Sequence, residues 1–241
     1  MKLQLLRNAT QVLTLNNKQL LIDPMLGAKD AYDTILMTDN GLRNPLVPLP
    51  VNASELVTQI HAVLLTHLHN DHWDAAAREL LPKGIPLFCQ PGDEGAIRAA
   101  GFTQVQPIAG TIVWEGIRVS RTSGRHGTGE IGTLMGKVSG YVINDIYFAG
   151  DTIWCEEVKA AIDQYQPRII VVNGGAAQFV KGDPIVMSIK DIAAVRTYAP
   201  AAKVIVVHLE AVNHSRESRQ QVRAAFPADV IVPDDGEFIY I

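Results

Sequence analysis

The period of the apolar positions changes along the chain. Residues 2–6, 11–15 and 19–22 are short apolar runs parted by polar Asn and Lys residues, which predicts a meander of strands. Further on, short β-branched runs alternate with segments of helical character. Residues 86–89 precede a helix over 93–100, 146–149 precede 156–164, 168–172 precede 188–198, and 203–207 precede 216–226. Residues 62–66 and 117–122 also read as strands, and Ile231 with 238–241 closes the chain in strands. Asp74 is placed to cap a helix beginning at Ala75, and Ser215 to cap the one over 216–226. Three positions on from Ser215 stands Ser218 rather than Glu or Gln, so a capping box there is incomplete. A meander joined to βα units suits two sheets packed face to face with helices outside, an α/β architecture.

One loop changes this picture. The buried-strand run Ala62-Val63-Leu64-Leu65-Thr66 leads into His67-Leu68-His69-Asn70-Asp71-His72, and a helix follows. Three imidazoles and a carboxylate in six positions form a ligand set, since imidazole is the commonest nitrogen ligand of transition metals and carboxylate adds a hard oxygen. A strand-to-helix loop can turn several such side chains toward one point.

Residues 67 to 72 match, position for position, the His-x-His-x-Asp-His signature, and here the chain resembles the metallo-β-lactamase-fold superfamily of metal-dependent hydrolases. The resemblance covers nearly the whole chain, taken as one domain over 1–241, and implies a four-layer αββα sandwich with metals at one edge between the sheets. It also implies further ligands downstream: His126 in Gly124-Arg125-His126-Gly127, Asp151 in Phe148-Ala149-Gly150-Asp151, and His208 after Val204-Ile205-Val206-Val207. Each follows an apolar run. Carried over residue by residue, the resemblance implies two divalent metal ions. His67, His69 and His126 would hold the first, Asp71, His72 and His208 the second, and Asp151 would bridge. Zinc is the first expectation, with manganese or iron as alternatives. A hydroxide held between the ions would be the nucleophile at neutral pH, and Asp71 would be the catalytic carboxylate that orients it. More loosely, the spacing from His72 to His126, His126-Gly127-Thr128-Gly129 and His208-Leu209-Glu210 resemble the lactonase-like branch that includes L-ascorbate 6-phosphate lactonases.

The other histidines are weighed separately. His61 precedes the buried strand, at the wrong end to reach the site. His214 lies six residues after His208 and is a candidate to contact substrate or support a ligand. Cys155 follows Asp151 by four positions and reads as a buried, inert thiol. Asp23-Pro24 ends an apolar strand and either supports the site from behind or makes an ordinary turn. Residues 27–50 form a long Pro-bearing connection of the kind that often covers a site. The glycines of 173–178 would let backbone approach a ligand, and without a following Lys-Ser/Thr nucleotide binding is not indicated.

Composition sets outer limits. The chain has 241 residues, 47% of them apolar, enough for a large core. A net charge of −4 and a pI near 6.0 disfavour a nucleic-acid-coating surface. Two cysteines give no disulfide framework, no run approaches a membrane span, and the first residues lack a leader's apolar core, so the expected location is the cytoplasm. The expected function is hydrolysis of a small ester, lactone or phosphoester by a metal-dependent enzyme acting on a small-molecule substrate. An iron-dependent redox enzyme or a non-catalytic metal-binding protein on the same fold are the alternatives.

Overall fold

The computed structural model describes residues 1–241. The first of its two sheets runs in the order β14 (Phe238–Tyr240), β1 (Lys2–Arg7), β2 (Thr10–Leu15), β3 (Lys18–Ile22), β4 (Ala62–Leu64), β5 (Leu87–Cys89), β6 (Val105–Pro107). The second runs β13 (Val230–Ile231), β12 (Lys203–Val207), β11 (Ile169–Asn173), β10 (Ile146–Phe148), β9 (Ser139–Ile143), β8 (Ile117–Ser123), β7 (Thr111–Trp114). Each sheet is mixed. The expected meander β1–β3 is antiparallel, and β3 to β6 are parallel. In the second sheet β7 to β10 alternate in direction and β10 to β13 are parallel.

Side-chain alternation builds the layers. Leu64 of β4, with Ile22 and Phe88, faces Ile146, Phe148, Ile169, Val171, Ile205 and Val207 between the sheets. Val63 and Leu65 point the other way, onto α1 (Ala53–Val57), α2 (Ala75–Leu80) and α3 (Glu94–Ala99). Ile170, Val172, Val204 and Val206 likewise point outward onto α5 (Glu156–Tyr165), α6 (Ile189–Tyr198) and α7 (Arg219–Ala225), while α4 (Gly129–Met135), between β8 and β9, buries none of its residues. Successive residues of a strand face opposite sides, so a run that is apolar at every position is what a strand buried on both faces needs. The result is the expected four-layer αββα sandwich.

Strand direction then fixes where chemistry can sit. Parallel neighbours end on the same edge, and β8 runs the same way as β10 because two antiparallel steps separate them. The ends of β3, β4, β8, β10, β11 and β12 therefore share one rim, and Asp23, His67, His126, Asp151, Asn173 and His208 lie at or just beyond them. The sheets are tied together at this rim, where Tyr141 donates to the Leu65 carbonyl at 3.2 Å and Ser139 N to the Thr66 carbonyl at 3.2 Å.

One predicted boundary moves. The last helix starts at Arg219, not Arg216, and its cap is Ser218, whose hydroxyl accepts from Gln221 N while the Gln221 side chain accepts from Ser218 N. The capping box is thus complete, three residues later than expected. The cause is tertiary. Arg216 N and Glu217 N both donate to the Gly175 carbonyl, which pins residues 215–217 to the β11–α6 loop.

Asp74 caps α2 as expected, accepting from Ala77 N at 2.7 Å. Its other oxygen accepts from Gly27 N at 2.7 Å and from the Tyr32 hydroxyl at 3.0 Å, so this buried carboxylate also anchors the long 27–50 connection. Asp74→Ala should therefore cost about 2–3 kcal/mol in urea denaturation, beyond the about 1 kcal/mol of a cap alone. A loss of about 1 kcal/mol would make the contacts to Gly27 and Tyr32 incidental.

Candidate metal centre

The rim gathers two groups of side chains whose donor atoms lie within 4.8 Å of one another: His67, His69 and His126, and Asp71, His72, Asp151 and His208. These are the seven residues singled out from the sequence. Asp151 stands between the groups. Its Oδ2 lies 3.2 Å from His72 Nε2, 3.6 Å from His126 Nε2, 3.8 Å from His208 Nε2 and 4.0 Å from His67 Nε2. Asp71 Oδ2 lies 3.2 Å from His208 Nε2 and 3.6 Å from His72 Nε2. His67 Nε2 and His69 Nδ1 approach to 2.9 Å.

The donor set fits metal ions. Ligand atoms about 2.0–2.1 Å from a tetrahedral ion stand about 3.3 Å apart, the scale of these separations. His72 Nε2 is buried with no hydrogen-bond partner, which a folded protein tolerates poorly unless something else meets it. The far side of each group is held. His72 Nδ1 meets Asp23 Oδ2 at 2.8 Å, His67 Nδ1 meets Thr66 Oγ1 at 3.1 Å, and His126 Nδ1 meets the Ile185 carbonyl at 2.8 Å. Asn173 donates to Asp151 Oδ1 at 2.6 Å, and Asn8 donates to Asp71 Oδ2 at 3.3 Å. Such outer contacts orient ligands and raise their basicity.

Local backbone conformation aims these groups. Asp151 is preceded by Gly150 at φ +69°, where a Cβ would come within 2.7 Å of the Ser139 carbonyl. His208 itself adopts φ +65°, which turns it out of β12 toward the cluster, and its N–H donates to the Asn8 carbonyl at 3.0 Å. A non-glycine residue in this region is strained, and such strain persists where the surroundings over-determine it.

Electrostatics separate the two groups. Burial, with neighbouring imidazoles, pushes His67 well below the usual histidine range, and burial lowers His126. Both are thus neutral donors. Burial also opposes charge on His72, but Asp151, Asp71 and Asp23 outweigh it and raise His72 well above its ordinary value. His208 is raised against burial by Asp151 and Asp71. Burial alone would push both carboxyls up, yet His72 and His208 hold Asp71 and Asp151 well below the carboxylate range.

The cluster floors a cavity of about 590 Å³. His69, Asp71, His126 and Asp151 reach it from below, while Tyr32, Ile35 and Leu36 of the long connection, with Phe179, Ile185 and Val212, form its wall. The 27–50 connection thus covers the site. Asn213, missed in the sequence, holds that wall: it accepts at Oδ1 from Ile35 N and Asn44 Nδ2 and donates from Nδ2 to the hydroxyls of Thr34 and Thr38. Asn8, Asn173 and Asn213 carried no sequence signal beyond lying beside strand ends or a ligand loop.

The remaining candidates divide. Asp23 supports His72 and also accepts from Thr66 N and Thr66 Oγ1, at 2.8 and 2.7 Å. His214 lines the cavity without joining either ligand group, and burial pushes it down to about 4. His61 is exposed, and its Nδ1 accepts from Gln19 N at 3.2 Å, away from the rim. Cys155 is buried with its thiol pushed up by burial. The glycines of 173–178 serve chain packing rather than the cavity: a Cβ on Gly174 would meet Val206 at 2.6 Å and one on Gly175 would meet Ser215 Oγ at 2.6 Å. No helix is long and apolar enough to cross a membrane.

Comparison with known proteins agrees with this geometry. Residues 18–209 match the family model for the beta-lactamase superfamily domain. The UPF0173 protein YddR of Bacillus subtilis is 41% identical, over 98% of both chains. A crystal structure of a possible metal-dependent hydrolase from Veillonella parvula superposes with a TM-score of 0.95 at 35% identity, covering 100% of this chain and 99% of that one. That of an isothiocyanate hydrolase from Delia radicum gut bacteria superposes with a TM-score of 0.94 at 33% identity, over 100% and 99% of the two chains.

The contact of Asp23 with His72 yields a test that needs no substrate. Asp23→Asn should lower metal affinity about 10–100-fold in a competitive chelator titration, because His72 loses the carboxylate that orients it. Unchanged affinity in a folded variant would reduce Asp23 to a partner of Thr66.

Proposed function

The chain belongs to the beta-lactamase superfamily, among its UPF0173 metal-dependent hydrolases, and from that membership we propose that it hydrolyses a small, uncharged electrophile at a site for two metal ions. The observation that carries the reading is the convergence of seven donor side chains at the floor of a cavity with a largely apolar wall. His67, His69 and His126 would hold one ion and Asp71, His72 and His208 the other. Asp151 would bridge, since its Oδ2 lies within 4.0 Å of imidazoles from both groups. Mixed nitrogen and oxygen donors suit zinc, manganese or iron.

Such ions, when bound, supply a water acidified to near neutral pH and polarise the bond under attack. The chain's own groups do the rest. Asp71, the partly exposed carboxylate of the cluster, faces the cavity and would orient the attacking water by accepting a hydrogen bond from it, with Asn8 donating to its Oδ2. The wall of Tyr32, Ile35, Leu36, Phe179, Ile185 and Val212 binds an apolar substituent and excludes bulk water.

The wall also bears on substrate class. Arg43 is the one Lys or Arg side chain lining this cavity, and it is paired with Asp33. Beyond the proposed ions a phosphoester would find no unpaired cation for its remaining negative charge, so a neutral group suits the cavity better. An isothiocyanate, the substrate of the 33% identical relative, fits this description, with a neutral ester or lactone as the second class. Water added across its C=N bond gives a thiocarbamic acid, which falls apart to an amine and carbonyl sulfide.

Gently purified protein should hold close to two equivalents of metal by elemental analysis, and the reconstituted enzyme should release benzylamine from benzyl isothiocyanate. Saturation at one tight equivalent would reject the paired site. Activity confined to phosphodiesters would reject the substrate class. Asp151→Ala should lose turnover far more than Asp74→Ala, both checked for folding by circular dichroism. Equal losses would remove Asp151 from its bridging role.

A further inference from the structure

We propose that His214 is a catalytic residue, donating a hydrogen bond from Nε2 to the substrate heteroatom on which negative charge develops. The proposal rests on the hydrolytic reading above and adds a group that belongs to neither ligand set.

His214 is buried yet lines the cavity alongside His69, Asp71, His126 and Asp151. Its Nδ1 is sealed in protein with no hydrogen-bond partner, so the nitrogen that the cavity can reach is Nε2. A neutral imidazole carries one proton and must place it on one of the two. A buried N–H without an acceptor is rarer in proteins than a buried lone pair without a donor, which puts the proton on Nε2 and aims it at the cavity. The ring cannot swing freely. It stacks on Phe179, with centroids 5.9 Å apart and planes 25° from parallel. Its backbone carbonyl accepts from Gln178 N at 3.0 Å, and the preceding residue is the heavily bonded Asn213.

A purely structural histidine would satisfy its nitrogens within the protein. This one is held rigid by stacking and backbone contacts while its Nε2 is left to whatever enters the cavity. A donor fixed in advance and aimed where charge appears is a transition-state contact that needs no reorganisation. When water adds to the carbon of an isothiocyanate or an ester, charge moves onto the nitrogen, sulfur or oxygen leaving the multiple bond. His214 keeps its proton throughout and stabilises that atom by hydrogen bonding.

Two variants separate this role from packing. His214→Phe keeps a ring to stack on Phe179 but has no N–H. His214→Gln gives up the ring and keeps a donor. Both should retain the wild-type metal content and melting temperature to within a few degrees. With benzyl isothiocyanate, and in parallel with phenyl acetate, the Phe variant should lose about 10²–10³-fold in kcat with little change in KM, the scale seen when one such donor is removed. The Gln variant should recover part of the loss. Nitrogen-15 spectra of the wild-type histidines should show the His214 proton on Nε2. A Phe variant with wild-type kcat, or a proton on Nδ1, would overturn the proposal, and a Phe variant lacking one metal equivalent would make His214 a ligand instead. A wild type active on phenyl acetate but inert to the isothiocyanate would sink the substrate reading alone, and the role of His214 would then be read from the ester.

Discussion

Asp151 is a buried carboxylate surrounded by the Nε2 atoms of four histidines, and much of the rim is arranged to keep it there. An isolated charge in such a place would be neutralised by a shift of its pKa. Here His72 and His208 hold it ionised, and Asn173 fixes its second oxygen. The four histidines come from three strand ends: His67 and His72 from the loop after β4, His126 after β8, His208 after β12. The two sheets must therefore pack in one register for the group to form at all. Tyr141 and Ser139, bonded across to the Leu65 and Thr66 carbonyls, fix that register beside the cluster. The strain at His208 and the glycine before Asp151 are local consequences of the same demand.

The floor and the wall of the cavity are built differently. The floor comes from strand ends, positioned by the core between the sheets. The wall comes from the 27–50 connection and from residues after β11 and β12, none of which lies in a strand. Asn213 joins the two sources through Thr34, Thr38, Ile35 and Asn44. Asp74 ties the start of the connection to α2, and the buried guanidinium of Arg7 gathers the carbonyls of Met25, Gly27 and Val47. A long segment without regular structure must find partners for its backbone groups elsewhere, and these three side chains supply many of them.

What the sequence disclosed follows from this division. The seven candidate ligands were legible because metal ligation would demand particular residue types at strand ends, and because their order resembles a known family. The layers were legible because uninterrupted apolar strands need cover on both faces. Asn8, Asn173 and Asn213 were not, since an amide that holds a ligand looks like any loop amide until its partner is seen. The start of the last helix was misplaced because Gly175, forty residues from Ser215, captures the amides of Arg216 and Glu217. The glycines of 173–178 suggested a ligand and proved to admit Val206 and Ser215. In each case a long-range contact overrode a local preference.

The same division bears on how such a fold can serve many chemistries. A metal-bearing floor of the kind proposed would activate water whatever electrophile lay above it, so choice of substrate would fall to the wall and to the groups that meet the heteroatom taking up charge. In this chain the residues proposed for those functions adjoin in sequence. Asn213 clamps the wall, and His214 beside it faces the cavity against Phe179, itself part of the wall. A change in the 27–50 connection that disturbs the Asn213 contacts would therefore shift the ring of His214 as well as the shape of the apolar wall. In the proposed mechanism, binding of the substituent and stabilisation of developing charge would be coupled through two consecutive residues, while the strand ends that carry the candidate ligands stay where the core holds them.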